Sequence, residues 1–431
     1  MEAEKLVFEE NKPESMGSNI KKILFDNSVT FIFIVLCLAG VYLSKQPIPF
    51  IANELIQRIT RNSFLVLSLI IPVLAGMGLN FGIVLGAMAG QIAIIAVTHF
   101  KIGGIAGFGL AALLTIPIAL LFGYFTAKLL NKTKGQEMIS GMILGFFANG
   151  LYQLLFLFLV GTIIPMDNPT LVLSAGIGLK NTIDLSGPQG TKYALDAFAK
   201  IPFIKSTIVF ALAGTGYYVF RILQSNKDER LKMERNSFII RAVLFAALLI
   251  ISFYVSTIKS LINNISVPLA TVVVVGLLCV FNVFILKTKA GQDFRSVGQD
   301  MNIAKISGIP VDKIRIRAIL ISTVLAGWGQ LIFLQNIGTL NTYGSHEQVG
   351  TFAIAALLIG GASVTKATIG QAIIGTALFH TLFIVSPQAG KNLFGNAQIG
   401  EYFRVFVAYG VIGVSLGLHA WKQLFDKKNK K

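Results

Sequence analysis

Charge is scarce in this sequence. Asp, Glu, Lys and Arg make up only 13% of its 431 residues, hydrophobic residues make up 54%, and mean hydropathy is +0.72. Soluble domains carry about 25% charged residues, and a soluble chain of this length divides into domains joined by polar linkers. Apolar runs continue here from Val29 to Ala420, so an ordinary soluble protein is excluded. Cysteine is nearly missing. Cys37 and Cys279 both lie within apolar runs, which leaves no disulfide framework and no Cys-x-x-Cys metal spacing. The four histidines, His99, His346, His380 and His419, are scattered, and no His-Glu-x-x-His pattern occurs, so no metal site is expected. Gly361 to Lys366 lacks the second glycine and the closing Gly-Lys-Ser/Thr of a phosphate-binding loop. No catalytic set, cofactor site or ATP-hydrolysing machinery is therefore expected in this chain.

Acidic residues are also in deficit, giving a formal charge of +17. A nucleic-acid partner is one reading of such a balance. The basic residues, however, cluster between apolar spans, which is the pattern of cytoplasmic loops in membrane proteins. The first 28 residues are polar and mixed in charge, unlike a secretory signal with its basic start and early apolar core. They are expected to be a retained cytoplasmic tail.

A membrane-crossing helix needs about 20 apolar residues. Candidate segments cover 29–45, 63–78, 79–99, 105–130, 137–160, 207–225, 238–258, 267–287, 316–334, 350–363, 367–386 and 402–421. Those ending in Gly76–Gly78 and Gly360–Gly361 are short and glycine-broken. Such half-helices persist at membrane depth only where protein or a cavity covers the backbone. The fold class is all-α: a polytopic helical membrane protein with about ten to twelve transmembrane or half-membrane helices, its membrane domain spanning 29–421.

Loop charge sets the expected orientation. The 128–137 turn, the 221–241 stretch (Arg221, Lys227, Arg230, Lys232, Arg235, Arg241), the 287–317 loop and the 422–431 tail are basic and are assigned to the cytoplasm with both termini. The nearly neutral 161–206 stretch is then extracytoplasmic, and the other large outer loops are expected at 335–349 and 387–401. At that length, 161–206 is expected to be functional or disordered. The localisation implied is a cytoplasmic (inner) membrane.

The 287–317 loop is the informative segment. Met301, Ile303, Ala304 and Ile306 supply the apolar contacts of an amphipathic helix, and Asp300, Asn302 and Lys305 its polar ones. Asp300 or Gln299 caps its start, Gly308 ends it in a left-handed turn, and Pro310 blocks continuation. A short helix held between two spans is able to pass motion from a soluble partner into the membrane. An ordinary solvated loop on the headgroups is the alternative.

Polar side chains inside membrane helices face the interior or a cavity. Asn80, Gln91, Asn149, Gln153, Asn282 and Gln330 are the candidates for a substrate pathway, and interhelical hydrogen bonding is the competing role. Asn149 and Gln153, four apart, share one helical face. Apart from edge positions, no Asp, Glu, Lys or Arg is placed in the middle of a span, which disfavours a proton- or sodium-coupled carrier and suits a neutral polar solute; a secondary carrier or channel is the alternative function. A membrane-embedded enzyme would need a clustered nucleophile or acid–base set, and none is visible.

Arg295 to Gly298, then Ala304, then Ser307 to Ile309, resemble the cytoplasmic coupling loop of one family. It is that of the bacterial ABC importer permeases for branched-chain amino acids, ribose and related sugars, and nucleosides. Ser322 with Leu325 and Ala326, the run Ile354 to Ser363 with its Gly-Gly-x-Ser ending, and Ile369, Gly370 and Gly375 continue the resemblance over about 287–385. Gly76, Gly78, Gly82, Gly86, Gly90 and Gln91 look like a divergent form of the family's glycine-rich segment. The turn after the Gly-Gly-x-Ser motif is shortened to Val364–Ala367, and the 161–206 loop is enlarged.

The resemblance implies a non-catalytic permease subunit of an ATP-driven importer. Its implied partners are a second permease subunit (identical or related), a cytoplasmic ATP-binding cassette ATPase that holds the ATP and Mg, and an extracytoplasmic solute-binding protein. Arg295, Asp300, Ala304, Gly308 and Ile309 are the implied ATPase-coupling residues. A sugar or nucleoside is the favoured solute, with a branched-chain amino acid as the alternative.

Overall fold

The computed structural model describes residues 27–225, 235–258 and 261–428. Most of the expected N-terminal tail, and Lys227, Arg230 and Lys232 of the basic 221–241 stretch, lie outside these residues. So do the side chains of the C-terminal tail and of His419.

Every candidate segment forms a helix. In chain order they are α1 (Ser28–Ser44), α2 (Ile48–Ser68), the short α3 (Ile70–Leu74), α4 (Ile83–His99), α5 (Gly104–Lys132), α6 (Glu137–Leu154), α7 (Phe203–Ser225), α8 (Arg235–Thr257), α9 (Leu269–Lys287), α10 (Lys289–Gln299), α11 (Met301–Ile306), α12 (Val311–Ile337), α13 (Ser345–Ile359), α14 (Ile369–Phe394) and α15 (Ala397–Lys428). Among the described residues, α5, α6 with its π-turn extension to Leu159, α7, α8, α9, α12 and α14 are long and apolar enough to cross a membrane. The chain is a multi-pass helical membrane protein. Four three-residue strands are the exception: β1 (Thr182–Asp184), β2 (Lys200–Pro202), β3 (Ser266–Pro268) and β4 (Thr339–Asn341).

Two helices start in the middle of the molecule. After α3 the chain turns through Gly76 and Gly78, both at positive φ, and climbs back to begin α4. There Asn80 Nδ2 lies 3.5 Å from Ser322 Oγ, deep in α12. At the opposite end, β4 leads the chain inward so that α13 starts beside Gln330 of α12. Both are half-helices, buried on nearly every side, as irregular backbone at membrane depth requires.

Close backbone approach holds this centre together. A Cβ on Gly86 or Gly90 of α4 would strike the carbonyl oxygens of Thr323 and Gly327 on α12, and a Cβ on Gly327 would strike Thr115 of α5. Small residues four apart let helices meet this closely. The basic 128–137 turn and α10–α11 gather at one end of the bundle, called here the loop end, and the four strands at the other, the strand end.

Three expectations change. The 335–349 and 387–401 stretches are not large loops. α12 runs to Ile337, α13 starts at Ser345, α14 runs to Phe394 and α15 starts at Ala397. Gln335 and Asn336 are buried on α12, whereas Asn341 is exposed on β4 and Gly395 and Asn396 are exposed in the short turn before α15. The 63–78 segment is the tail of α2, which begins at Ile48 and carries Glu54, Arg58 and Arg61 before its apolar half. Finally, 161–206 is neither a plain connection nor a free excursion. β1 pairs antiparallel with β4 and β2 with β3, Ile183 and Leu340 are fully buried, and Asn168 Nδ2 donates to Thr98 O at 2.8 Å. Backbone and side-chain hydrogen bonds thus fasten this segment to the helix ends.

Candidate functional site

The loop-end site is built from α10 and α11. Gly291 allows the chain to reverse from α9, because a Cβ there would run into Ile285 and Leu286 backbone atoms. α10 is amphipathic: Phe294 and Val297 are buried, while Gln292, Arg295 and Gln299 are exposed. Gly298 lies against the Leu74–Gly76 backbone with no room for a Cβ. Asp300 then takes an extended conformation, and its Oδ1 accepts from the backbone N–H groups of Asn302 (2.7 Å) and Ile303 (3.0 Å). This N-cap starts α11, and Gly308 at φ +79° ends it.

The 287–317 loop therefore holds two helices, not one, and the first supplies most of the buried face. In α11, Ala304 is buried with Ile71, Phe294 and Ile314, so it seats the helix rather than meeting a partner. Ile303 and Ile306, expected to be apolar contacts within the chain, are 64% and 86% exposed. Arg295 is exposed and donates to Leu286 O at 2.9 Å, Gly308 is exposed, and Ile309 is half-buried.

Under α11 lies Arg315, fully buried in the first turns of α12. Its Nε donates to Asn131 Oδ1 (2.9 Å), its Nη2 to Leu130 O (3.2 Å) and to Glu137 Oε1 (2.6 Å), and its Nη1 faces Met301 Sδ at 2.9 Å. One guanidinium thus joins α5, α6, α11 and α12. A buried charge needs such a full set of partners.

A second cluster surrounds the start of α13. His346 is fully buried, with Nδ1 2.7 Å from Gln91 Oε1 and Nε2 3.0 Å from Asn149 Oδ1. Asn149 Nδ2 lies 3.3 Å from Glu347 Oε2, and the Tyr152 ring packs 4.9 Å from the imidazole. Gln330 Nε2 donates to Ser345 Oγ at 3.0 Å. Glu347 is half-buried and Gln348 exposed, so a polar, partly open face sits at half-helix depth.

Of the six expected pathway residues, Gln91 and Asn149 converge on His346, and Gln330 reaches the neighbouring Ser345. Asn80 meets Ser322 separately. Gln153 is half-buried one turn beyond Asn149 and joins no side-chain hydrogen bond. Asn282 is buried in α9 with neither amide atom paired. His346, Glu347 and Tyr152 were missed. The signal was present: Gly344 and Ser345 precede an apolar run, a helix-start pattern that moves α13 five residues upstream. The same late helix starts hid the embedded charges. Glu347 lies in the first turn of α13 and Arg61 within α2, both just outside the expected spans 350–363 and 63–78.

The strand end holds a third polar feature, a cavity of about 620 Å³ bordered by Asn53, Gln57, Arg61, Tyr193, Asp196 and Lys200. Asp196 anchors its wall, accepting from Thr271 Oγ1 and from Asn336 Nδ2 (2.6 Å), while Arg61 Nη1 donates to Asn336 Oδ1 at 3.1 Å. No group of three His, Cys, Asp or Glu able to hold a metal occurs among the described residues.

Comparison with known proteins places these features in a family. Residues 191–415, slightly more than half of the chain, match the family model described as "Branched-chain amino acid transport system / permease component". The chain is 37% identical over 120 residues to a probable ABC transporter permease protein, y4mJ, of Sinorhizobium fredii; the match covers 28% of this chain and 34% of that protein. It is 25% identical over 259 residues to the xylose transport system permease protein XylH of Haemophilus influenzae, covering 59% of this chain and 64% of that one. The chain thus spans about a third of the first relative's length and under two thirds of the second's. No solved structure matches. The matched segment contains α10 to α14, while Gln91, Asn149 and Tyr152 of the α13 cluster and the α5 and α6 partners of Arg315 precede it; matching more than half of its residues, the chain belongs to the permease-component family of branched-chain amino acid transport systems.

Proposed function

We propose that this protein is the membrane-spanning, non-catalytic subunit of an ATP-driven importer, carrying a small polar solute past the half-helices α4 and α13. The observation that supports it best is α11. It is a short helix with a capped start and a glycine stop, seated by Ala304, that turns Ile303 and Ile306 outward at the loop end. Two exposed isoleucines on a rigid helix form a docking patch for a soluble partner. A cytoplasmic ATP-binding cassette subunit fits that role and would hold the ATP and Mg. In this reading the loop end, both terminal tails and 287–317 face the cytoplasm of a bacterial inner membrane. The strand end and 161–206 face outward, toward a solute-binding protein. Arg295, Asp300, Ala304, Gly308 and Ile309 shape or border the docking patch.

Gln91, Asn149, Gln330, His346 and Glu347 supply hydrogen-bond partners for a solute stripped of water. A second permease subunit would enclose the open face at Glu347 and Gln348. The likeness to a protein described as a xylose permease favours a sugar, with a nucleoside or branched-chain amino acid as alternatives. Glu347 also favours a second reading, a cation-coupled carrier.

Purification from native membranes in mild detergent separates the two. The importer reading expects a cassette ATPase in the complex, with hydrolysis stimulated by a loaded binding protein. Solute uptake driven by an ion gradient in vesicles without ATP would support the carrier instead.

A further inference from the structure

The helix that covers the α13 cluster is α6, and it is thinly held. Ile139, Met142, Ile143, Phe146, Phe147, Leu151 and Leu154 are exposed along it. Its packed face is largely Gly141 and Gly145, which lie against Phe81, and Tyr152. Small residues and one aromatic give a smooth contact that permits sliding or tilting. Specific polar contacts fasten α6 at two heights. Glu137 in its first turn holds Arg315, and Asn149, about 18 Å further along the helix axis, holds His346 and Glu347.

Arg315 is also the group beneath α11. Its Nη1 contacts Met301 Sδ, the first residue of α11, and its Nη2 contacts Glu137, the first residue of α6. Arg315 is 0% exposed and Glu137 11%, so solvent does not screen the pair. The nearby Lys134–Asp312 pair is exposed and a weak competitor for the same task. The guanidinium is planar and rigid, and its donors leave in fixed directions. Met301 and Glu137 thus contact the two terminal nitrogens of one buried guanidinium.

We propose that the Arg315–Glu137 pair is the positioning link that carries movement of α11 into α6, and thereby into the Asn149, His346 and Glu347 contacts. This rests on the importer reading. Arg315 and Glu137 touch no solute; they act through α6. The coupling loop and the solute contacts then form one mechanical chain: Met301, Arg315, Glu137, α6, Asn149.

The test uses the full transporter complex in nanodiscs. Nitroxide labels replace the exposed Phe147 on α6 and the exposed Leu121 on α5, with Cys37 and Cys279 changed to alanine. Distances are read by pulsed electron resonance with and without ATP and Mg. The parent is expected to shift its distance distribution on ATP binding. Glu137→Gln keeps a neutral acceptor for Arg315 but loses the charge. It is expected to reduce the shifted fraction about tenfold, within the usual range of coupling between sites, while ATPase stoichiometry is unchanged. Glu137→Asp restores the shift. Met301→Ala interrupts the link on the α11 side without touching the ion pair, and is expected to reduce the shift even if Glu137→Gln misfolds. An undiminished shift in a folded Glu137→Gln, or in Met301→Ala, overturns the link alone. No cassette ATPase, or no response to ATP in the parent, overturns the importer reading and the link together.

Discussion

Helices α12 and α7 are both long, apolar and able to cross a membrane, yet 72% of the apolar window of α12 is buried and only 6% of that of α7. Their hydropathies are close and do not account for so large a difference in burial, because a bilayer rewards apolar surface wherever it points. What differs is which side chains are packed away. α12 carries Ser322, Thr323, Gly327, Gly329 and Gln330 along its length, while α7 exposes Val209, Phe210, Leu212, Phe220 and Leu223. Without a hydrophobic drive between helices, small and polar residues choose the partners. α7 packs on α8, with the Phe210 and Phe245 rings 5.5 Å apart, and most of its remaining surface is exposed. The centre is thus held by small and polar residues that are packed away, whereas Ser206, Thr207, Gly214, Thr215 and Gly216 of α7 are not buried.

That contrast is breakable by substitution. The largest effect is expected at Gly90→Leu, where the new side chain meets the Gly327 carbonyl and α4 cannot stay against α12. Overpacking in a closed core typically costs about 1–3 kcal/mol, and a contact with backbone that cannot move aside exceeds that range by enough to keep the centre from assembling. Loss of monodisperse protein on size exclusion would show it.

Arg315→Met strands the Glu137 carboxylate and should cost about 3–5 kcal/mol, as expected for breaking a buried pair. Denaturant unfolding in detergent would measure that, and the Glu137→Leu, Arg315→Met double variant should recover much of it. At the α13 cluster, His346→Leu leaves Gln91 Oε1 and Asn149 Oδ1 without their ring partner. About 1–3 kcal/mol is expected for unsatisfied buried groups, with a second consequence, looser protection of α6 amides in hydrogen exchange.

Asp300→Ala removes the α11 cap, for about 1 kcal/mol, and should be visible mainly as local fraying of 301–306. Smallest of all is Phe220→Leu on α7, expected within about 0.5 kcal/mol. A large loss of thermal stability there would show that the rim is packed against something, and would spoil the contrast.

Much of the fold was legible in the sequence. Each of the twelve apolar segments is a helix, and the glycine pairs at Gly76–Gly78 and Gly360–Gly361 mark where the re-entrant stretches turn. Helix starts were less legible. Glu54, Arg58 and Arg61 made the first half of α2 read as a loop, although Arg58 and Glu54 pair at 3.5 Å along the helix and Arg61 is held by Asn336. The strand pairings were invisible, because β1 and β4 lie more than 150 residues apart and no local pattern marks a three-residue strand.

The candidate sites divide in the same way. Residue type brought out Gln91, Asn149 and Gln330, since an amide within an apolar run stands out. It also brought out Asn282, which the fold places elsewhere. His346 and Arg315 were missed because each follows ordinary polar neighbours near a helix start. Only three-dimensional contact shows that Arg315 lies beneath α11 or that His346 joins two helices remote in sequence. The Asp300 cap and the Gly308 stop were readable, whereas the outward turn of Ile303 and Ile306 needed α10 to take the buried face first.

That outward turn is where the account is most directly tested. A cysteine placed at Ile306, in a chain with Cys37 and Cys279 changed to alanine, is reacted with a short photoactivatable crosslinker in native membranes. The adduct is then identified by mass spectrometry. The account predicts a crosslink to an ATP-binding cassette subunit, lost when the cysteine is moved to the exposed Phe220 of α7. Crosslinking only to lipid at Ile306, while solute uptake continues without ATP, would contradict it.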